Sequence, residues 1–341
     1  MKKHIFRIGI KNFPAAHGGV ETCTQYFVEN ALDRYDFTIF TCWENAPLPE
    51  KFAKVRVFQL EPGWFARFRQ IRAAVKDKKN TILDFQMVIF IPLAIVFSLL
   101  GYNVVSSVHG RSWWNVKISM PVRWLICIVD ILGVNLVRRT IYVSKWDYEA
   151  MRKYTFRKYY LIPNGSALCE KINDKPTKDM VFIGRISIQK NLANLIVAVE
   201  RDGRELDIYG PYDERECENT AKIKRLIEDA KHVHYCGVLR PEEIYETFGN
   251  YRCAVNPSKS EASPNAVIEA GACGLFLYLS DIPGHRGVGY PDVFYFDKED
   301  IRLPILDGIF RRSVGNIDHH RKNLSIVRQI DSYAEVYESF R

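Results

Sequence analysis

Residues 253–274 read CAVNPSKSEASPNAVIEAGACG, and the folding of this stretch decides how the rest of the chain is read. Cys253 to Asn256 is a short apolar run closing on a polar residue, the pattern of a buried strand end. Pro257 to Ser260 has turn composition. Ser263 is a favoured helix cap, and Pro264 suits the first helical position, where its missing N–H is not needed. A helix is therefore expected over 264–273, giving a strand–loop–helix unit. In open parallel sheets such loops lie at the carboxyl ends of the strands, where ligands bind.

Two carboxylates frame the expected helix start, Glu261 in the loop and Glu269 inside the helix. Between them, at Ser263 and Asn265, free N–H groups and the positive end of the helix dipole favour an anion such as phosphate. A carboxylate repels phosphate but accepts hydrogen bonds from hydroxyls. The pattern points to a ligand with phosphate at its centre and hydroxyl-rich rings at its two ends, the layout of a nucleotide sugar.

Working outward, the first half alternates strand-like runs (5–10, 37–41, 55–58, 103–108, 140–143) with helical patterns (20–32, 64–79, 92–101, 121–132, 145–154). A polar stretch at 166–179 reads as a connection. Strands at 180–183, 206–209, 233–236, 253–256 and 276–279 then alternate with helices at 191–200, 216–231, 242–250 and 264–273. Alternation of this kind implies parallel sheets covered on both faces. The expected architecture is α/β, with two doubly wound Rossmann-like domains facing across a cleft. Their limits are 1–165 and 180–320, with 166–179 as linker and a C-terminal helix over 321–341 that can pack back on the first domain.

The totals agree with this organisation, since 341 residues exceed one comfortable core. Eight scattered cysteines without a C-x-x-C pair suggest neither a disulfide framework nor a zinc site, and a reducing cytoplasm fits. The start, MKKHIFRIGI, reads as a first strand rather than a signal peptide. MVIFIPLAIVFSLL (87–100), fourteen residues with a proline, is below membrane-spanning length and is expected to be a buried strand or helix segment. Residues 1–165 carry 24 Lys and Arg against 12 Asp and Glu, while 166–341 carry 24 against 28. The basic first half suits an anionic partner.

Three further motifs fall at expected strand ends. HGGVE (17–21) sets Gly18 and Gly19 at a helix opening, where backbone can approach an anion closely; alone it equally describes an ordinary turn. FIGRISIQKN (182–191) places Arg185 and Lys190 five apart, a planar donor fork and a compact charge together suited to a diphosphate, the alternative being a solvated basic turn. SSVHGRSWW (106–114) puts His109 at the end of an apolar strand, able to meet a sugar hydroxyl or to serve as a satisfied core histidine. IPNG (162–165) is a turn.

Taken together, HGGVE, VHG, YVSKWDYEAM, LIPNG, VFIGRISIQKN and SEASPNAVIEAGACG stand in the order and spacing of the retaining glycosyltransferases of family four, the glycogen-synthase-like group with the GT-B fold, and the resemblance covers nearly the whole chain. Its most specific element is Glu261-x7-Glu269, followed by Arg185-x4-Lys190. The resemblance implies that Gly18 and Gly19 pack against the donor's diphosphate and that Arg185 and Lys190 neutralise it as it leaves. It further implies that Glu261 holds hydroxyls of the transferred sugar, Glu269 binds the ribose, and His109 contacts the sugar near the reacting carbon. Transfer would retain configuration by a same-face route in which the leaving phosphate helps deprotonate the acceptor. No Asp-x-Asp occurs, so no metal and no cofactor beyond the donor are expected; a UDP-sugar is the expected donor, with GDP- and dTDP-sugars as alternatives. After LSDIPGHR the chain departs from the family in a shorter segment that carries Pro291.

WFARFRQIRAAVKDKK (64–79) contains six basic residues and one acid, and Trp113, Trp114, Lys117, Arg123 and Trp124 form a second basic-aromatic cluster. Such surfaces suit an anionic lipid interface, although a solvated basic face reads the same way. The resulting expectation is a cytoplasmic hexosyltransferase, peripheral on the inner face of the cell membrane, using a lipid-linked saccharide acceptor in capsule or O-antigen assembly. HGRSWWNVK also resembles a subgroup described as rhamnosyltransferases. The rival readings are a nucleotide-sugar epimerase of the same fold and a non-catalytic subunit of a polysaccharide-assembly complex; no nucleic-acid motif is present.

Overall fold

The computed structural model describes residues 2–15, 18–110, 119–169, 173, 175–303 and 311–340. The chain forms two compact units, Met1–Gly165 with Ile326–Arg341, and Ser166–Ser325. The first contains β1 (His4–Ile10), α1 (Gly19–Ala31), β2 (Asp36–Thr41), β3 (Arg56–Gln59), α2 (Trp64–Ala74), β4 (Thr81–Phe85), α3 (Ile91–Leu99), β5 (Asn103–Val108), α4 (Met120–Leu136), β6 (Arg139–Tyr142), α5 (Lys145–Met151) and β7 (Tyr160–Leu161). Its sheet runs β3-β2-β1-β4-β5-β6-β7, with the pairs all parallel.

The second unit contains β8 (Lys178–Ile183), α6 (Leu192–Asp202), β9 (Leu206–Tyr209), α7 (Cys217–Asp229), β10 (Val233–Tyr235), α8 (Ile244–Gly249), β11 (Tyr251–Asn256), α9 (Asn265–Ala272), β12 (Phe276–Ser280), α10 (Pro283–Arg286), β13 (Val293–Phe296) and α11 (Val314–Asn323). Its order, β10-β9-β8-β11-β12-β13, is again parallel throughout. Both sheets follow the doubly wound 3-2-1-4-5-6 sequence, whose order reverses between β1 and β4 and between β8 and β11.

Burial on both faces explains the near-continuous apolar strands. β1 is buried from Ile5 to Ile10 and includes one charged residue, Arg7, at 2% exposure. Its partner is Asp84 on β4, at 0%. That carboxylate makes TILDF read unlike a core strand, and β4 was not among the expected strands. Nor were β7, two residues long, and β13, which follows Pro291. The helix expected over 64–79 ends at Ala74, where Val75 turns extended. Its apolar side is only partly spent on the core: Ile71 is buried and Phe68 packs on Phe97, while Phe65 is 72% exposed.

The stretch at 166–179 belongs to the second unit. Ser166 N–H donates to Leu324 O at 3.0 Å, Arg312 Nε donates to Asn173 O at 2.8 Å, and β8 already begins at Lys178. The expected helix over 321–341 is broken: α11 closes the second unit, and α12 (Ile326–Glu338) belongs to the first. Ile326, Ile330, Tyr333 and Tyr337 form the apolar stripe of α12 at helical spacing. Tyr333 meets Phe27 of α1 edge-on at 5.0 Å between ring centroids, and Tyr337 meets Tyr35 at 5.6 Å. Among the described residues no helix is long and apolar enough to cross a membrane.

Candidate active site

The carboxyl ends of β8 and β11 flank the point where strand order reverses in the second unit. Past β8, Gly184 and Arg185 lead into a single 3₁₀ turn, Ile188–Lys190, closed by Asn191 in the left-handed conformation (φ 55°) that asparagine tolerates. Past β11 comes the loop bearing Ser258 and Glu261. The two loops are tied together: Lys259 N–H donates to Gln189 O at 2.8 Å, and Gln189 Nε2 donates to Ser260 O at 2.7 Å.

This tie brings Lys190 Nζ onto Glu261 Oε1 in a close ion pair. Ser258 Oγ lies between Glu261 Oε1 at 2.7 Å and Asn256 Oδ1 at 2.6 Å. Burial works to raise the Glu261 pKa, but Lys190 and Ser258 outweigh it, so the carboxyl is held below its usual range. Gly284 of α10 closes the site from below. A methyl group there would come within 2.1 Å of Glu261 O, a position that only glycine allows.

Arg185 Nη1 lies 3.5 Å from Asp213 Oδ2 and is about one-third exposed. Asp213 is itself gripped by Arg215 through Nε at 2.8 Å and Nη2 at 2.7 Å, which holds its carboxyl well below the usual range. The Arg185 contact is the looser of the two, so its donor fork can turn to an incoming anion without stranding Asp213. Ser263 does not cap α9: Pro264 occupies the cap (φ −78°, ψ 102°), no side chain caps the helix, and Asn265 is the first helical residue. The shift arises because Pro264 adopts an extended ψ, and its carbonyl accepts from Val267 and Ile268 N–H. Glu269 lies on α9 at 3% exposure.

In the first unit, Gly18 caps α1 at φ 126°, where a Cβ would fall 2.1 Å from Glu21 Oε2, and Gly19 opens the helix. His109 follows β5, with Nε2 3.0 Å from Gln86 Oε1. Desolvation, reinforced by Arg7, pushes its pKa down to about 3. His17, Trp113, Trp114 and Lys117 lie outside the described residues. Sequence reading missed Gln86, Asp213, Ser258 and His285. Ser258 stands inside the stretch 253–274 and His285 inside LSDIPGHR, so both could have been found there; Gln86 and Asp213 follow strand and loop ends without a local signature. Among the described residues no group of three or more His, Cys, Asp or Glu side chains is arranged to hold a metal.

His285 and His320 are both fully buried, and burial lowers both pKa values, His320 to about 4. The unfolded chain takes up protons near pH 6.5 while these folded imidazoles stay neutral. For His320 the stabilising contribution is therefore complete above pH 6.5 and is lost as pH falls towards 4; the His285 contribution likewise weakens below pH 6.5. His320 opposes the second unit by about 1.4 kcal/mol per pH unit in that window, and His285 acts in the same direction. Urea titrations between pH 7.5 and 4.5 are expected to show this slope, and His320→Gln should remove one imidazole's share of it.

Residues 17–167 match the family model described as Glycosyltransferase Family 4, and residues 170–300 match Glycosyl transferases group 1. The chain is a glycosyltransferase of the GT-B type. Solved GT-B structures share this glycosyltransferase's fold at low identity. Sucrose-phosphate synthase from Thermosynechococcus elongatus superposes with a TM-score of 0.82 at 16% identity, covering 99% of each chain. Anabaena HepE, solved in complex with UDP, gives 0.80 at 15% identity, over 99% of this chain and 100% of that one. The lipopolysaccharide outer core galactosyltransferase WaaB gives 0.72 at 16%, over 98% and 99%. No curated protein matches the glycosyltransferase by sequence.

Proposed function

We propose that this glycosyltransferase moves a hexose-type sugar, with retention of configuration, from a UDP-sugar to a lipid-linked saccharide acceptor during assembly of a cell-surface polysaccharide such as capsule or O-antigen. The observation that carries the reading is the Lys190–Glu261–Ser258 cluster at the strand-order reversal of the second unit. Lys190 and Arg185 supply two cations for a leaving diphosphate without a metal, and charge-assisted hydrogen bonds of this kind contribute about 1.5–3 kcal/mol each. Glu261, kept ionised, accepts from hydroxyls of the transferred sugar, Glu269 from the ribose, and Gly18 and Gly19 allow close approach of backbone to phosphate. The leaving phosphate oxygen takes the acceptor's proton on the same face, so no protein nucleophile is required. HepE, also solved in complex with UDP-glucose, supports a uridine donor.

A thermal-shift panel of UDP-, GDP- and dTDP-sugars tests the reading, since a ligand that binds the folded state raises its melting temperature. The UDP-sugar is expected to give the largest shift. No shift with any of the three would sink it.

Attachment to the cytoplasmic face of the membrane completes the proposal. On α4 the side chains of Trp124, Leu125, Ile128 and Leu132 are 45–64% exposed along one side of the helix, and α2 adds exposed Trp64 and Phe65 with Arg69 and Arg72. An apolar stripe with cations suits an anionic interface. Vesicles of anionic lipid at low salt are expected to retain the protein. Trp124→Glu with Ile128→Glu should release it without altering the melting temperature, because these side chains already face solvent.

A further inference from the structure

The first unit holds a buried polar chain that the donor-binding cluster does not use. Tyr337 of α12 donates to Asp84 Oδ2 at 2.6 Å, and Ser107 Oγ donates to Asp84 Oδ1 at 2.8 Å while accepting from Tyr333 at 3.2 Å. Arg7 lies beside Asp84 at 3.4 Å, with its guanidinium carbon 4.1 Å from the centre of the Phe27 ring. Burial works against the Arg7 charge, but Tyr337, Asp84 and Tyr333 more than offset it, and its pKa is raised. From Arg7 the chain continues outward: Nη1 donates to Gln86 Oε1 at 3.0 Å, and the same oxygen lies 3.0 Å from His109 Nε2.

The donor rules fix every proton along this path. A guanidinium has no acceptor, so the amide of Gln86 must turn its oxygen, not its NH₂, towards Arg7. That oxygen can only accept, so the ring nitrogen facing it carries the hydrogen. We propose that Gln86, locked by Arg7, is a positioning residue that holds His109 as the neutral Nε2–H imidazole and leaves Nδ1 as a bare acceptor. On the transferase reading above, on which this role rests, Nδ1 then accepts from a sugar hydroxyl, and the neutral ring brings no charge to that contact.

The charged group that acts on the ring is Arg7 from β1, while Asp84 from β4 and Tyr333 and Tyr337 from α12 face Arg7 in turn. Arg7 works against a second proton on His109, in the same direction as burial.

Long-range ¹H–¹⁵N spectra of the full-length protein with labelled histidine report the tautomer without any substrate. The His109 ring is expected to show a protonated Nε2 and a bare Nδ1, unchanged from pH 8 to pH 5. Gln86→Glu, nearly isosteric and still an acceptor for both neighbours, should raise the titration midpoint of His109 by about 1 to 3 pH units through its added negative charge. Gln86→Leu should lower kcat about tenfold or more while the thermal shift given by UDP alone is preserved. A proton on Nδ1 in the native protein, an unmoved midpoint in Gln86→Glu, or an unchanged kcat in Gln86→Leu overturns the proposal. A ring with the expected tautomer in a protein that consumes no nucleotide sugar upholds the Arg7–Gln86–His109 geometry, and only the transferase reading falls.

Discussion

Glu261→Gln is expected to lower kcat/KM by about 10²- to 10³-fold, the loss of one or two charge-assisted hydrogen bonds to the transferred sugar. The folded state should tolerate the change, since the neutral amide keeps the Ser258 contact and removes a partly buried charge. Lys190→Met is the informative counterpart. It leaves the Glu261 carboxylate, whose side chain is 11% exposed, without the cation that offsets its burial. This variant should lose both transfer and stability, by about 3 kcal/mol if the site behaves as a buried pair. The double variant Glu261→Gln/Lys190→Met should recover most of that stability and none of the activity. Steady-state kinetics with urea denaturation on the three proteins tests the set; a double variant no more stable than Lys190→Met would count against a charge-paired site.

Ending the chain at Ser325 is expected to unfold the first unit. Ile326, Ile330, Tyr333, Val336, Tyr337 and Phe340 are each at most 8% exposed, and burying a side chain of this size contributes about 1.5–3 kcal/mol. Their sum matches or exceeds the whole stability of an ordinary domain, about 5–15 kcal/mol. Two hydroxyls that satisfy the Arg7–Asp84 core are lost as well, leaving buried charges short of partners. The second unit ends at Ser325 and keeps its own core, so far-UV circular dichroism of the truncated chain should fall by roughly the contribution of the first unit alone. Asp84→Asn in the intact chain gives a milder form of the same defect, an uncompensated Arg7.

The alternation of strands and helices was legible because parallel strands buried on both faces read as apolar runs punctuated by turns; β5 and β9 fall where the sequence put them. β4 did not, because Asp84 interrupts it and its worth depends on Arg7, seventy-seven positions earlier. The same distance effect hid Gln86, which has no meaning until β1 and β4 lie side by side. Within the candidate site, Lys190 and Glu261 were legible as separate chemistries, cation and hydroxyl acceptor. Their direct contact was not, since it is made by two ties between the loops, the Gln189 side chain on Ser260 O and the Lys259 backbone on Gln189 O. The cap expected at Ser263 followed a local rule, since a serine before proline suits the first turn, but the extended ψ of Pro264 moves the cap one residue on.

The return of α12 to the first unit has a consequence for the order in which the molecule matures. Synthesis runs from the amino terminus, so residues 166–325 leave the ribosome as an uninterrupted segment able to close their own sheet. The seven-stranded body must wait, its Arg7 and Asp84 still short of tyrosine hydroxyls, until α12 has been made and delivers them. During that interval the nascent chain carries a finished second unit and an unsealed basic first unit. Chaperones that shield exposed apolar surface would find their substrate in the half that was made first.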